Sequence, residues 1–168
     1  MKNKLLFDFT VNKENNTINI KREFASELPL VWDAFTKQEI LDQWWAPEPF
    51  QNKTKILDFK EGGMWQYAMI SPENKMHWNR FDYERIEVQK MFTGWDGFCD
   101  EEGTFMETEF SRIHWKNSFN NNSENTIVNV TLTLDSLEDL EKIVKMGFKE
   151  GFTAGLNQLN KLLLELNK

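Results

Sequence analysis

Side chains able to move a proton are few and scattered in this chain. The two histidines, His77 and His114, fall on different candidate strands. Neither lies on a candidate helix that would set a second His, Cys or carboxylate at ligand spacing, so no metal site is expected. The run E-T-E-F-S-R-I-H puts Glu107, Glu109, Arg112 and His114 on one extended segment, where strand alternation divides them into two pairs on opposite faces. A solvated strand face accounts for them. His114 with a carboxylate would do acid–base work only if both entered a cavity. Glu84, Arg112 and His114 are the only candidates as polar cavity groups. Cys99 is the single cysteine, set in F-C-D-E-E. Acidic neighbours raise a thiol pKa and blunt its nucleophilicity, so Cys99 reads as structural. No nucleophile elbow, phosphate loop or dinucleotide fingerprint is present, and Gly62-Gly63 reads as a turn. No catalytic residue and no cofactor is assigned.

The chemistry with more material behind it is apolar recognition. Aromatic residues make up 14% of the chain, with 14 Phe and 7 Trp. The block R-E-F-A-S-E-L-P-L-V-W-D-A-F-T-K-Q-E-I-L-D-Q-W-W-A-P concentrates Phe24, Trp32, Phe35, Trp44 and Trp45 between residues 22 and 47. So many large rings must dock on a concave surface or help form one. Near the C-terminus, Gly147, Gly151 and Gly155 recur every four residues within an apolar periodic pattern. In a helix interior each costs about 1 kcal/mol relative to Ala, about 3 kcal/mol together. Either the stripe lets helix and sheet pack closely, or it leaves room for a ligand between them. Polar residues around it exclude a membrane dimer motif.

Elements that would position these groups follow from periodicity. Residues 5–11 and 17–24 read as strands, the second with Ile18, Ile20 and Phe24 alternating with Asn19, Lys21 and Glu23. Two short helices follow, near 29–36 and 37–44, with Thr36 and Glu39 forming a capping-box pattern and Pro47 and Pro49 ending the second. Strands are expected at 53–60, across Trp65, Tyr67 and Met69, at 76–88, at 90–95 and at 104–116. The phase of 76–88 slips between Tyr83 and Ile86, as a bulge would cause. The polar run 117–125 reads as a mobile hairpin loop, and Val128, Val130, Leu132 and Leu134 mark the plainest strand. Residues 137–166 read as one long helix capped by Ser136, about 45 Å long.

Composition excludes several function classes. The 168 residues favour one domain, taken as 1–168, and carry 27 acidic against 20 basic side chains for a net charge of −7. Without a dense Lys/Arg run, nucleic acid is not an expected partner. No stretch approaches a membrane span, and Asp8 breaks the short N-terminal apolar run, so a cytoplasmic location is expected. Monomer and homodimer both remain open.

The motifs R-x-F…V-W-D-A-F-T…E-x-L…W-W and D-F-K-E-G-G-M-W-Q-Y resemble the START-like (SRPBCC) superfamily. Within it the chain is similar to homologues of the activator of heat-shock protein 90 ATPase. The tail M-G-F-K-E-G-F-T-A-G-L-N-Q-L resembles that family's closing helix, with Phe152 in place of its Trp and Leu156 and Leu159 in register. The likeness covers about residues 17–165. It implies an α+β helix-grip fold: a curved antiparallel sheet around a long C-terminal helix, closed by two small helices, with an apolar cavity between. It also implies a stress-response setting.

These readings combine into a non-catalytic domain binding a small hydrophobic or aromatic molecule. Trp65, Tyr67, Met69, Phe81, Tyr83 and Trp95 are the expected lining by strand phase, facing the stripe Gly147, Gly151 and Gly155, with Trp44 and Trp45 framing the mouth. One alternative is a partner module acting on a chaperone ATPase. Another is a cyclase- or dehydratase-type enzyme using Glu84, Arg112 or His114.

Overall fold

A computed structural model describes residues 5–106 and 111–167. The chain runs β1 (Phe7–Asn12), β2 (Thr17–Phe24), α1 (Leu28–Thr36), α2 (Gln38–Trp44), β3 (Gln51–Leu57), β4 (Met64–Ile70), β5 (Met76–Glu87), β6 (Met91–Phe98), β7 (Ile113–Asn122), β8 (Asn125–Thr133), α3 (Leu137–Lys145) and α4 (Phe148–Leu166). The strands form one eight-stranded sheet in the order β1-β2-β8-β7-β6-β5-β4-β3. Every neighbouring pair is antiparallel. This is the expected helix-grip architecture. Inward residues of the sheet, such as Ile18, Ile20, Trp115 and Leu132, join Leu156, Leu159 and Leu163 of α4 in one core.

Alternation sets the inner face of each strand. In β8, Val128, Val130 and Leu132 are buried while Thr133 is exposed. In β5 the register shifts between Tyr83 and Arg85, leaving Glu84 as the extra residue. That bulge returns Ile86 to the core side after Phe81 and Tyr83.

Three local expectations are corrected. The polar run 117–125 is ladder rather than loop: β7 and β8 pair out to Asn122 opposite Asn125. Backbone hydrogen bonds need no apolar side chain, Phe119 is buried inward, and the amides of Asn122 and Asn125 both donate to Glu23 Oε2 at 2.9 and 3.0 Å. The strand expected at 104–116 begins at Ile113; before it, Phe105 makes an isolated bridge to Cys99, and Glu107 and Glu109 lie outside the described residues. The helix expected over 137–166 is two helices. Gly147 adopts φ 91°, a left-handed conformation that ends α3 and turns the chain into α4.

Caps divide likewise. Ser136 Oγ accepts from the Asp139 N–H at 3.1 Å, as expected of an N-cap. Thr36 does not cap α2: its hydroxyl donates back to the Trp32 carbonyl at 2.9 Å, and Lys37 takes the cap position without a side-chain bond.

Candidate functional site

Between the sheet and the α3–α4 joint lies a cavity of 470 Å³. Its walls come from three sources. The segment after α2 supplies Trp45, Pro47 and Phe50; the inner faces of β4 to β7 supply Tyr67, Met69, Asn79, Asp96, Phe98, Ile113 and Trp115; the helical joint supplies Ile143, Met146, Gly147, Phe148, Gly151 and Phe152. Helix geometry explains the space on the last wall. A Cβ at Gly151 would meet nothing nearer than Pro47 Cγ at 4.0 Å.

The rings form a connected wall. Trp45 lies 5.9 Å from both Trp115 and Phe152, and 6.3 Å from Tyr67, between ring centroids. Phe148 and Phe152 stack one turn apart on α4 at 5.4 Å. Edge-to-face contacts of Trp45 with Tyr67 and Phe152, a tilted contact with Trp115 and the Phe148–Phe152 stack hold the wall together without filling the space it encloses.

Asp96 is the carboxylate of this cavity. On β6 the inward positions run Phe92, Gly94, Asp96, Phe98, opposite the outward Thr93 and Trp95. Asp96 Oδ1 is buried and makes no hydrogen bond among the described residues. Burial pushes the carboxyl up to about 7, against a smaller opposing effect of the Gly97 backbone N–H. Burial, with Asp96 adding its charge, also drives the Tyr67 hydroxyl well above its ordinary range. Trp115 Nε1 is a second buried group without a partner. Two wall residues of the cavity, Asp96 and Trp115, thus each carry a buried polar atom without a partner among the described residues.

The sheet's deeper interior is closed. Phe35, Trp65, Phe81, Tyr83 and Phe92 converge there around a void of only 20 Å³. Trp65 stacks on Tyr67 at 4.0 Å, and Phe81, Tyr83 and Phe92 contact one another at 5.2 to 6.1 Å.

The model of the family described as "Activator of Hsp90 ATPase homolog 1-like protein" matches residues 26–164. The chain belongs to this family. No curated protein matches it in sequence. Solved structures similar to this chain include a Mycobacterium smegmatis protein at 23% identity and TM-score 0.86, covering 95% of this chain and 97% of that one. A protein from Arthrobacter aurescens is similar at 24% identity and TM-score 0.88, over 94% and 91% of the two chains. One from Staphylococcus epidermidis is similar at 26% identity and TM-score 0.81, over 93% and 94%.

The expected site residues separate by where the fold puts them. Trp45, Tyr67, Met69, Gly147 and Gly151 lie on the cavity wall. Trp65, Phe81 and Tyr83 fill the deep interior instead. Trp44 does not frame a mouth; it is 1% exposed, and its indole N–H donates to the Ala34 carbonyl at 2.8 Å. Gly155 is a packing glycine, its Cβ position 3.4 Å from the Trp44 carbonyl oxygen and 3.5 Å from that of Trp45.

The remaining four sit on the outer face. Trp95 is 41% exposed and lies 4.9 Å from the His114 ring, which β6–β7 pairing places beside it. Glu84 Oε1 joins His114 Nε2 at 2.9 Å and accepts from the Thr93 hydroxyl at 2.9 Å; these contacts hold its carboxyl below the usual range. Arg112 is exposed, its guanidinium 4.8 Å from the Phe105 ring. None of the three candidate polar groups lines the cavity. Among the polar wall residues, sequence reasoning missed His77, Asn79 and Asp96; among the apolar ones it missed Trp115, Phe148 and Phe152. The available signal was phase: a carboxylate in register with Phe92 and Phe98.

Cys99 is buried, and burial with the nearby Asp100 carboxylate pushes its thiol up to about 11. Among the described residues no cluster of three or more His, Cys, Asp or Glu could hold a metal, and no helix is long and apolar enough to cross a membrane.

Proposed function

We propose that this protein binds a small hydrophobic or aromatic molecule, without chemical conversion, between the sheet and the α3–α4 joint. The cavity carries this reading. Its 470 Å³ falls within the span of small-molecule sites, and its walls are mostly apolar with few polar groups. Apolar burial would supply affinity, and those polar groups would orient the guest. Native mass spectrometry of the protein as purified from cells tests it. A retained small molecule, lost on denaturation, supports the reading. A bare protein that also fails to take up any naphthalene-sized apolar probe overturns it.

The family match favours a second reading, a partner module that modulates a chaperone ATPase. Titrating the protein into a purified Hsp90-type chaperone tests it. An unchanged ATPase rate at saturating protein rules it out.

A further inference from the structure

We infer that the ligand of this cavity is a protonated amine on an apolar, aromatic-sized body, with the Asp96 carboxylate as its counter-ion. The inference rests on the ligand-binding reading above and specifies its ligand class.

Three observations carry it. First, Asp96 stands on the cavity wall with Oδ1 buried and without a hydrogen-bond partner among the described residues. Native interiors rarely leave such an acceptor unmatched. An ammonium group supplies donors and opposite charge together. Second, among the described residues neither Lys nor Arg lines the cavity, and His77 is the single basic side chain on its wall. A fatty acid, phosphate or other anion would therefore meet the Asp96 carboxyl with no fixed cation to offset it. Third, Trp45, Tyr67, Trp115, Phe148 and Phe152 surround the same space. Aromatic faces attract a cation, and more strongly when it is desolvated. A carboxylate within aromatic walls suits an ammonium at one end and an apolar body at the other. The chain's net charge of −7 favours approach of cations over anions. At pH 8, where the Asp96 carboxyl is charged, a neutral alcohol could donate to it but would leave that charge buried and uncompensated.

Isothermal titration calorimetry at pH 8 with naphthylethylamine, naphthylethanol and naphthylacetic acid tests the inference, because the three share a body and differ in the polar head. The wild type should bind the amine at least about tenfold more tightly than the alcohol, with the acid weakest. Asp96→Asn should lose the amine preference while keeping alcohol affinity within about threefold. Equal affinities for amine and alcohol in the wild type would overturn the amine inference while leaving the cavity as a binding site. So would an amine preference that survives in Asp96→Asn. If none of the three binds the wild type, the binding reading falls and the amine inference with it. Should Asp96→Asn fail to fold, the wild-type selectivity series decides by itself.

Discussion

Asp96 concentrates the tension at the scale of single residues. Its carboxyl is held near 7 by burial, so the folded protein keeps a proton that the unfolded chain releases near 3.8. Folding is therefore penalised as pH rises through that window, the reverse of a salt-bridged carboxylate. Titratable groups around it are Tyr67 and Cys99, both raised, and His77 on the cavity wall. Asp96→Asn should match the wild type near pH 4 and exceed it by about 1–4 kcal/mol at pH 8, read by urea unfolding. Parallel stability curves across pH would show that the carboxyl is solvated after all. The outer-face pair behaves differently. Glu84 and His114 meet where water screens them, so Glu84→Gln and His114→Ala should each change stability by less than about 1 kcal/mol and leave probe binding in the cavity unchanged. A loss of binding in either would tie the outer face to the site.

Among the elements, the joint between α3 and α4 governs the cavity. An uninterrupted helix over 137–166 would have carried Gly147, Gly151 and Gly155 as one stripe with one role. The break gives each glycine its own. Gly147 supplies the left-handed turn at φ 91°, Gly151 faces open space, and Gly155 admits the backbone of Trp44 and Trp45. Gly147→Ala should therefore destabilise by about 1–2 kcal/mol in thermal or urea unfolding. Gly151→Phe should fold at least as stably as the wild type, because Phe has the better helix propensity and no atom stands within 4.0 Å of the new Cβ except at that limit. Its ring would occupy the cavity, and affinity for a naphthalene-sized probe should fall at least about tenfold. Undiminished binding in a folded Gly151→Phe protein would place the ligand elsewhere.

Across the whole molecule, the sheet wraps its helix with two different fillings along one trough. Toward α1 the trough is packed solid by Trp32, Phe59, Phe92 and Phe119, with ring centroids 5.0 to 6.1 Å apart. Toward the α3–α4 joint it stays open. Solid packing supplies stability, and the open end forgoes it, so a ligand that fills the opening should raise stability by linkage. At a concentration 100 times its dissociation constant, a bound amine should stabilise by about 2.7 kcal/mol, visible as a rise in Tm. No shift at that concentration would mean the measured binding is not to the folded state alone.

Much of this was legible from residue order, because strand and helix periods are local properties. Alternation in β2 and β8, the phase slip between Tyr83 and Ile86, the Ser136 cap and the glycine-bearing C-terminal pattern each depend on neighbours a few residues away, and together they specify the helix-grip architecture. Which aromatic residues fill the trough and which enclose space depends on side chains distant in sequence meeting at one depth. Phase alone put Tyr67 and Phe81 on the same face, yet only Tyr67 reaches the cavity, since Phe35 and Phe92 arrive from other elements to close over Phe81. Trp95 shares β6 with Asp96 but looks outward toward His114, a difference of one residue in the pleat. Residue types and periods thus determined that a sheet would grip a helix around an aromatic interior. Tertiary packing decided where that interior stays open and made Asp96 its buried carboxylate, because burial and partner loss are properties of the assembled walls and not of any one segment.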